Sequence, residues 1–508
     1  MKRVKVIFIN ILILTISSFI LRTVNVWFQV YLSNKLGQEG MGLFQLITAI
    51  YFLAIVFSTS GIKFTTTRLV AEEMGTGRLA GASKAVRNCL VFGIIFSVTS
   101  MAIVILNAEF IGTRWLNEPR TILSLRIFAL SLPFISLSSV LSGYFIAVRK
   151  VIKSVVVQYL EQLIKIAATI LFLSIFIPRG LEYACAAVVS GACIGEFCSF
   201  LFLFFLYRTD RPEASESRKA GPNLILRMLN IAMPVAFSAY TMSIVRTIQQ
   251  LLIPYGLKKS GESSKEAIST FGVIQGMTMP IIMFPSVLLE AISELIVPEL
   301  AECRASNSYN RLNYIIARVF NLGVILSIGV AWLFWRYSKE LGMTIYNNPE
   351  AAYFIMMLAP LIPIMYLDSI VDNMLKGIDE QVSSMRYNMF TSLINVAMTY
   401  LLLPRYAIAG YLITTYLTKI LNFALSLNRL VRVTRLKIDL PRIVKSVFCI
   451  IGAIGIAVLL QDINLVKPTL VYLHLLLTAA IYMFLLRVFS CITHDDVIWV
   501  KSLFSKTP

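Results

Sequence analysis

Apolar segments long enough to cross a lipid bilayer follow one another along most of this 508-residue chain. A membrane-spanning helix needs about 20 mostly apolar residues, and only helices and closed barrels satisfy their own backbone hydrogen bonds in hydrocarbon. Charged residues make up 14% of the chain and hydrophobic residues 57%, whereas a soluble domain carries about 25% charged residues. The segments do not alternate polar and apolar residues with a period of two, as barrel strands do. We therefore predict an all-α integral membrane protein.

Fourteen such segments predict about fourteen membrane-spanning helices, which we number span 1 to span 14. The first segment follows Lys2 and Arg3, as in a signal peptide, but it continues past Tyr31 and lacks a small-residue cleavage site, which indicates a retained helix. The predicted bounds are 6–32, 41–62, 86–107, 121–148, 154–177, 183–207, 224–255, 267–289, 312–335, 351–375, 383–403, 407–428, 442–461 and 469–490.

Lysine and arginine are concentrated at the N-terminus and in every second loop, which indicates the orientation of the chain. The cation-rich stretches are 63–88, 149–153, 208–219 and 429–445. Because basic loops remain on the cytoplasmic side of a membrane, both termini are predicted to be cytoplasmic. An even number of spans agrees with this prediction.

Several classes of function are excluded by what the sequence lacks. The net charge of +19 is explained by the basic loops, and no basic stretch is interleaved with aromatic residues as a single-strand nucleic-acid binder requires. The seven cysteines form no CxxC pair and the two histidines lie far from any cysteine cluster, so we expect no metal site. No GxxxxGK[ST] motif occurs, so the chain does not hydrolyse ATP itself. We therefore expect neither an enzyme nor a cofactor.

An internal repeat relates the first twelve spans. Five short segments recur in the same order at an offset of between about 224 and 230 residues, which is the pattern that a duplication leaves. The pairs are Ile20–Thr23 with Ile244–Thr247, Phe44–Gln45 with Ile274–Gln275, Leu69–Glu72 with Ile296–Glu299, Leu132–Pro133 with Ile362–Pro363, and Pro178–Arg179 with Pro404–Arg405. A unit of six helices keeps its orientation, so the repeats are parallel, as in many transporters. The predicted domains are a six-helix lobe at 1–208, a second lobe at 222–432 and two added helices at 441–490, with a cavity between the lobes.

Two repeat-related arginines are the first candidates for substrate binding. Arg22 on span 1 shares a helix face with Asn25 and Gln29, at i+3 and i+7. Arg246 lies at the matching depth of span 7, with Gln250 one turn later. An arginine offers a fixed fork of donors that suits phosphate, so the pair predicts a phosphate clamp. The alternative is that each side chain extends to the lipid headgroups.

Other polar residues at membrane depth suggest sugar and ion contacts. Gln45 and Gln275, on spans 2 and 8, are candidates for hydrogen bonds to sugars. Asp368, Asp372 and Lys376 lie four residues apart on one face of span 10. This stripe predicts either a site for a coupling cation or an internal ladder of ion pairs, and the sequence does not choose between them.

Spans 5, 6 and 12 carry further charged and polar residues. Glu161 and Lys165 are four residues apart on span 5, a spacing that favours a neutralising structural pair. Glu196, Lys419 and Asn422 receive no role from the sequence alone.

Three motifs give the chain a resemblance to a known superfamily. They are Arg22–Thr23 in span 1, Gly40-x-Gly-x-Phe44-Gln45 at the start of span 2, and Arg68-Leu69-Val70-Ala71-Glu72 after it. With the six-plus-six repeat and two added helices, the chain resembles the multidrug/oligosaccharidyl-lipid/polysaccharide exporter superfamily. Within it the chain is similar to the polysaccharide-biosynthesis branch, which includes sporulation proteins and the lipid II flippases.

The resemblance implies a flippase for an undecaprenyl diphosphate-linked sugar in the bacterial cytoplasmic membrane. In lipid II flippases, cavity arginines on helices 1, 2 and 8 bind the substrate diphosphate. Only Arg22 matches such a position, and Arg246 lies on span 7 instead. The resemblance further implies that the two added helices extend a groove for the lipid tail. Membrane lipids and peptidoglycan-synthesis enzymes are then the expected partners.

Three other functions are weighed against the flippase. A cation-coupled exporter of amphipathic drugs predicts acidic residues in the cavity, which Asp368 and Asp372 partly supply. A membrane glycosyltransferase needs a catalytic carboxylate or histidine and a large outer loop, and the sequence has neither feature. A structural scaffold for spore or wall assembly stays open.

Overall fold

All regular secondary structure in the described part of the chain is helical. The computed structural model describes residues 2–59, 61–210, 223–434, 440–462 and 471–493. The side chains of residues 2–16 lie outside this description, as do the loop cations Arg211, Arg218, Lys219, Arg435 and Lys437. Within the described ranges the all-α prediction is confirmed.

The α-helices, numbered along the chain, are α1 (Lys2–Thr59), α2 (Ile62–Gly75), α3 (Leu79–Leu106), α4 (Ala108–Phe110), α5 (Ile122–Ala129), α6 (Leu132–Ala147), α7 (Val151–Phe176), α8 (Leu181–Asp210), α9 (Leu224–Lys259), α10 (Ser264–Phe271), α11 (Met279–Met283), α12 (Ser286–Ala305), α13 (Tyr309–Arg336), α14 (Ser338–Tyr346), α15 (Pro349–Leu358), α16 (Ile362–Gly377), α17 (Gln381–Thr434), α18 (Leu440–Asp462) and α19 (Val471–Val488). Short 3₁₀ turns cover Pro119–Thr121, Ile177–Arg179 and Ala359–Leu361, and π-helical turns cover Ile111–Trp115 and Gly272–Thr278.

Hydropathy and length identify 9 membrane-spanning helices among the described residues, or up to 11 when two bent pairs each count as one span. Two of the nine are longer than a bilayer is thick, and each is broken inside. α1 breaks at Gly37, where φ is 69°, and α17 breaks at Ala407, where φ is 47°. These breaks lie where spans 1 and 2, and spans 11 and 12, were predicted to separate. The helix Leu473–Val488 is apolar but shorter, so the count of fourteen stays a prediction.

Two helices continue beyond the bounds that their apolar runs suggest. Span 2 was predicted to end at residue 62, but α2 continues to Gly75 and carries Lys63 and Arg68. Span 8 was predicted to end at residue 289, but α12 continues to Ala305. Both bounds were wrong because hydropathy falls where charged residues begin, whereas a helix continues wherever its backbone hydrogen bonds do.

The described chain divides into two compact units. The first comprises residues 2–24 and 35–254, and the second comprises residues 25–34 and 255 onwards. These units assign most of α9 to the first unit and a short stretch of α1 to the second. The division into lobes at 1–208 and 222–432, with added helices at 441–490, stays a prediction.

Each unit has its own buried apolar core. In the first unit α2, α3, α6 and the start of α9 meet around Leu69, Val86, Leu141 and Met228. In the second unit α12, α13 and α16 form the larger core, and α18 and α19 pack against α13 through a separate cluster that includes Ile325 and Tyr482. The Tyr482 hydroxyl donates to the Ile325 carbonyl at 2.9 Å.

The contact of α19 with α13 depends on Gly329. A Cβ built on Gly329 would lie 2.5 Å from Cε1 of Tyr482, which is itself 4% exposed. We expect Gly329→Ala to lower the unfolding free energy of the purified protein by about 1–3 kcal/mol, because the buried ring has to move. Thermal unfolding in detergent measures the change.

The matched control for this substitution is Gly455→Ala on α18. A Cβ built on Gly455 meets nothing within 4 Å, so this variant should unfold at the wild-type temperature or slightly above it, as helix propensity favours alanine. Equal unfolding temperatures for the two variants would contradict the role of Gly329.

Candidate functional site

The two predicted phosphate-binding arginines both belong to the first unit. Arg22 lies on the first half of α1 and Arg246 on α9, and the side chains of both are exposed. Gln250, one turn after Arg246, and Gln45, on the second half of α1, are half-buried. Exposure at membrane depth leaves these side chains accessible to a ligand. Their joint action on one phosphate group stays a prediction.

Asn25 and Gln29 belong to the second unit, although they follow Arg22 on the same helix. Asn25 is exposed, and Gln29 is half-buried with its Nε2 donating to the carbonyl of Gly276 at 3.4 Å. This hydrogen bond joins α1 to the π-helical turn Gly272–Thr278. Gln275, in that turn, is half-buried.

The eighth predicted span is broken, and side chains from other helices satisfy the carbonyl groups near its breaks. Pro280 has no N–H to donate to Gly276, whose carbonyl accepts from Gln29 instead. The chain bends by 58° after Met283, and there the carbonyl of Ile282 accepts a hydrogen bond from Tyr366. Between these points Tyr346 donates to the Met277 carbonyl at 2.8 Å. Irregular backbone is tolerated at membrane depth where protein groups satisfy it in this way.

Asp368 and Asp372 lie in a hydrogen-bonded network of the second unit. Asp368 is 8% exposed, and Nδ2 of Asn422 lies 2.9 Å from each of its carboxylate oxygens. Asp372 accepts from Ser384 at 2.7 Å and from Asn388 at 2.9 Å. The two carboxylates of α16 are therefore held by amide and hydroxyl groups from both halves of α17.

The network favours an ion site over a ladder of ion pairs. Lys376 donates to Asn373 at 3.1 Å, and within the described ranges no salt bridge joins Asp368 or Asp372 to a lysine. Lys419 lies near Asp368 without reaching that distance. The hydroxyl of Thr414, a turn before Lys419 on α17, is buried without a hydrogen-bond partner. Two buried carboxylates with neutral oxygen donors around them suit a small cation or a proton.

The internal repeat is visible in these side-chain contacts. Ser142 and Ser154 share a hydrogen bond of 2.7 Å between α6 and α7. Exactly matching contacts are not required for homology, yet Asp372 and Ser384, each 230 residues later, are joined at the same distance. The repeat therefore preserved a contact while one serine and one aspartate diverged. Sequence reasoning had placed neither serine in the site.

A second repeat-related contact has its charges reversed. Lys150 and Lys153 form ion pairs with Asp210, at the end of α8. The residue 230 positions after Lys150 is Glu380, which pairs with Arg429 near the end of α17 at 2.7 Å. The attraction at the end of the bundle is kept while the sign of each partner is exchanged.

Ion pairs also join α9 to α2 within the first unit. Arg227 donates to Glu72 at 2.6 Å and to Glu73 at 2.8 Å, and Glu73 is 1% exposed. The chain break before α2 packs against the same helix, since a Cβ on Gly61 would lie 2.7 Å from Val235. The start of α9 is therefore fixed to α2 at both of its ends.

An apolar cavity of about 350 Å³ lies in the second unit. It is bounded by α13, the turn before α16, and α18. Its lining residues are Ile328, Ala331, Trp332, Trp335, Pro360, Pro363 and Val447. Such a lining suits a hydrocarbon chain.

Two family profiles match the sequence. The profile described as polysaccharide biosynthesis protein matches residues 7–302, which is more than half of the chain. The chain belongs to the polysaccharide biosynthesis protein family. A second profile, MatE, matches residues 234–401 of this family member.

Curated relatives cover nearly the whole chain. Stage V sporulation protein B of Bacillus subtilis is 24% identical over 503 residues, which is 96% of each protein. Lipid II flippase MurJ of Bacillus subtilis is 20% identical over 405 residues, covering 73% of this chain and 72% of the relative. The chain therefore shares its full extent with a sporulation protein of this polysaccharide biosynthesis family.

Solved structures establish the fold independently. The inward closed conformation of lipid II flippase MurJ has a TM-score of 0.73 at 14% identity and covers 96% of this chain and 100% of that chain. An inward-facing multidrug resistance MATE family transporter of the MOP superfamily has a TM-score of 0.64 at 14% identity, covering 82% of this chain and 96% of that chain. This member of the polysaccharide biosynthesis family thus has the fold of a multi-pass MOP-superfamily transporter.

The pH dependence of stability tests the Glu380–Arg429 contact of this family member. Hydrogen bonds from Arg429 hold the pKa of the Glu380 carboxyl below its usual value. A lowered folded-state pKa adds stability at neutral pH that is lost as the pH falls through the folded-state pKa. We expect Glu380→Gln to lower the unfolding temperature at neutral pH, and the difference from wild type to vanish in acid.

Asp379→Asn is the matched control for this experiment, because Asp379 is exposed beside Glu380. It should follow the wild-type curve at every pH. A Glu380→Gln deficit that is the same at neutral and acid pH would contradict the electrostatic origin of the effect.

Proposed function

We propose that this chain is a flippase that moves a lipid-linked peptidoglycan or polysaccharide precursor across the bacterial cytoplasmic membrane. The likeness over 96% of both chains to a sporulation protein carries this proposal, and the MurJ fold supports it. The substrate class is a sugar on an undecaprenyl diphosphate carrier. Spore cortex or cell-wall synthesis would use it, and peptidoglycan-synthesis enzymes are the proposed partners.

The exposed arginines Arg22 and Arg246 are the proposed phosphate ligands. A guanidinium group donates two parallel hydrogen bonds to phosphate, which fixes the head group as well as neutralising its charge. Asn25, Gln29, Gln45, Gln250 and Gln275 are the proposed partners of the sugar hydroxyls. Gln29 would exchange its weak bond to Gly276 for a bond to substrate, since 3.4 Å is long for a hydrogen bond.

The lipid tail is proposed to occupy apolar surface that includes the cavity beside Trp332 and Trp335. This surface lies partly on α18, one of the two helices outside the internal repeat. The MurJ structure covers 96% of this chain, against 82% for the MATE transporter. The greater coverage agrees with added helices that serve a lipid substrate.

The direction of transport follows from charge if both termini are cytoplasmic, as we propose. An anionic head group that moves outward is favoured by an inside-negative membrane potential, by about 2.3 kcal/mol per charge per 100 mV. The potential can therefore drive net flux without ATP.

Reconstitution tests the flippase and its arginines together. Purified protein in liposomes receives a fluorescent lipid-linked disaccharide-pentapeptide in the inner leaflet, and its appearance outside is measured. We expect transport by the wild type and a loss of about 10-fold or more in the double variant Arg22→Ala/Arg246→Ala, because a hydrogen bond to a charged group contributes about 1.5–3 kcal/mol.

Arg179→Ala/Arg405→Ala is the matched control. These two arginines are also exposed and related by the repeat, 226 residues apart, and their removal should leave transport unchanged. No transport by folded wild-type protein would exclude this lipid as a sufficient substrate. An equal loss in both double variants would reject the proposed phosphate site.

A cation-coupled multidrug exporter is the second candidate, favoured by the MatE match over 234–401 and by the buried network around Asp368 and Asp372. The same network would serve as an ion-coupling site in a flippase. Transport of ethidium, in place of the lipid-linked sugar, would select the exporter.

Asp368→Asn tests ion coupling whichever substrate is carried. The amide keeps the size of the side chain but removes the charge that would hold a cation or proton. We expect a sodium or proton gradient to accelerate transport by the wild type and by the control Asp379→Asn, and to have no effect on Asp368→Asn. Gradient-stimulated transport by Asp368→Asn would reject the site.

A further inference from the structure

Charged residues inside the first unit form a group that the proposed transport mechanism does not use. α7 and α8 are antiparallel neighbours, and the spacing of Glu161, Lys165 and Thr169 places them on one face of α7. Gly191 and Gly195 of α8 lie opposite. A Cβ on Gly191 would lie 2.2 Å from the Thr169 hydroxyl, and one on Gly195 would lie 3.1 Å from Cβ of Lys165. The glycines allow the two helices to approach closely along this face.

A second carboxylate joins this group from α8. Glu196 interacts with both Glu161 and Lys165, and the Glu161 side chain is also hydrogen-bonded to Ser199. Tyr51 of α1 and Cys193 of α8 are the other titratable groups that face the carboxylates. Two carboxylates therefore share one lysine at membrane depth.

The charge of the group is unbalanced unless it holds a proton. With both carboxylates ionised and Lys165 protonated, the net charge is −1. One added proton makes the group neutral, and neutrality is strongly favoured where low-dielectric surroundings penalise a net charge. Two carboxyl groups that share one site bind that proton as a pair.

The repeat argues that helix packing does not require these charges. Glu161 and Lys165 correspond to Thr391 and Asn395, each 230 residues later, and Glu196 corresponds to Asn422, 226 residues later. In the second unit Thr391 donates to Asn422 at 3.0 Å. Neutral groups thus join the two helices at the matching position, so the charges of the first unit need another explanation.

A buried hydroxyl beside the group also lacks a partner. Thr169 is 0% exposed, and its Oγ1 makes no hydrogen bond although it points into the interface between α7 and α8, one turn from Lys165. An unsatisfied buried hydroxyl of this kind is typical of a site for an ordered water molecule. Water at this position would provide a route for proton exchange.

We propose that Glu161, Lys165 and Glu196 form a proton-binding site between α7 and α8. The proton is exchanged between a carboxylate oxygen and water, and no other bond changes. A metal cation is disfavoured because the ammonium group of Lys165 repels it, and within the described ranges no group of three or more His, Cys, Asp or Glu side chains could hold a metal. The site is separate from the Asp368–Asp372 network, which belongs to the second unit.

Dicyclohexylcarbodiimide tests the site without any transport assay, so its outcome is independent of the flippase proposal. A protonated carboxyl adds across the carbodiimide to give an O-acylisourea, which rearranges to a stable N-acylurea with all atoms retained. Purified full-length protein is treated at a series of pH values and the modified peptide is quantified by mass spectrometry. We expect modification of Glu161 or Glu196 that declines as the pH rises.

Three variants make the result specific. Lys165→Met should extend the modification to higher pH, because the ammonium group no longer favours the ionised carboxylates. Lys63→Met, which removes an exposed lysine of α2, should not change the profile. In Glu196→Gln one proton fewer should be bound over the same pH range, as measured by infrared absorption of protonated carboxyl groups.

The infrared measurement decides the case in which the reagent cannot reach the site. A pH-dependent carboxyl band present in the wild type and lost in Glu196→Gln or in Glu161→Gln supports the proposal. No such difference, or modification that is identical in wild type and Lys165→Met at every pH, overturns it.

Discussion

The absence of water from the hydrocarbon core constrains every irregular element of this protein. A backbone carbonyl that loses its helical partner needs another donor, because leaving it unpaired in lipid costs several kcal/mol. The turn Gly272–Thr278 and the bend after Met283 meet this requirement through Gln29, Tyr346 and Tyr366, which donate to carbonyls of the broken span. These three side chains come from distant parts of the sequence. A broken helix at membrane depth therefore determines the chemistry of its neighbours.

The same constraint explains how much of the fold the sequence could predict. Long apolar runs predicted an all-α membrane protein, and the repeat offset predicted the pairs of residues that later proved to occupy matching contacts. The ends of α2 and α12 were missed, because Lys63, Glu290 and their neighbours lower hydropathy without ending the helix. Hydropathy reports where lipid surrounds a helix, whereas helix length depends on the backbone and on packing.

The candidate site was predicted only in part, for a related reason. Asp368 and Asp372 could be singled out because carboxylates are rare at membrane depth. Their partners Ser384, Asn388 and Asn422 are neutral, and such residues occur widely in membrane helices without a ligand. A polar side chain becomes informative only when the fold shows what it contacts. Applying the 230-residue offset to each polar residue would have found Ser384 from Ser154.

The duplication also shows how the two units diverged under a common electrostatic rule. At the ends of the helices, where water is near, Lys150–Asp210 and Glu380–Arg429 exchange signs, since an exposed pair is only weakly stabilising and tolerates reversal. Inside the membrane the rule is stricter, because each uncompensated charge is costly. The first unit places two carboxylates and a lysine on α7 and α8, whereas the second places neutral Thr391 and Asn422 there and moves its carboxylates to α16. Buried acid groups were therefore retained in both units but at positions that the repeat does not relate. Packing alone gives no reason to retain them twice, and binding of a proton or cation in each unit does.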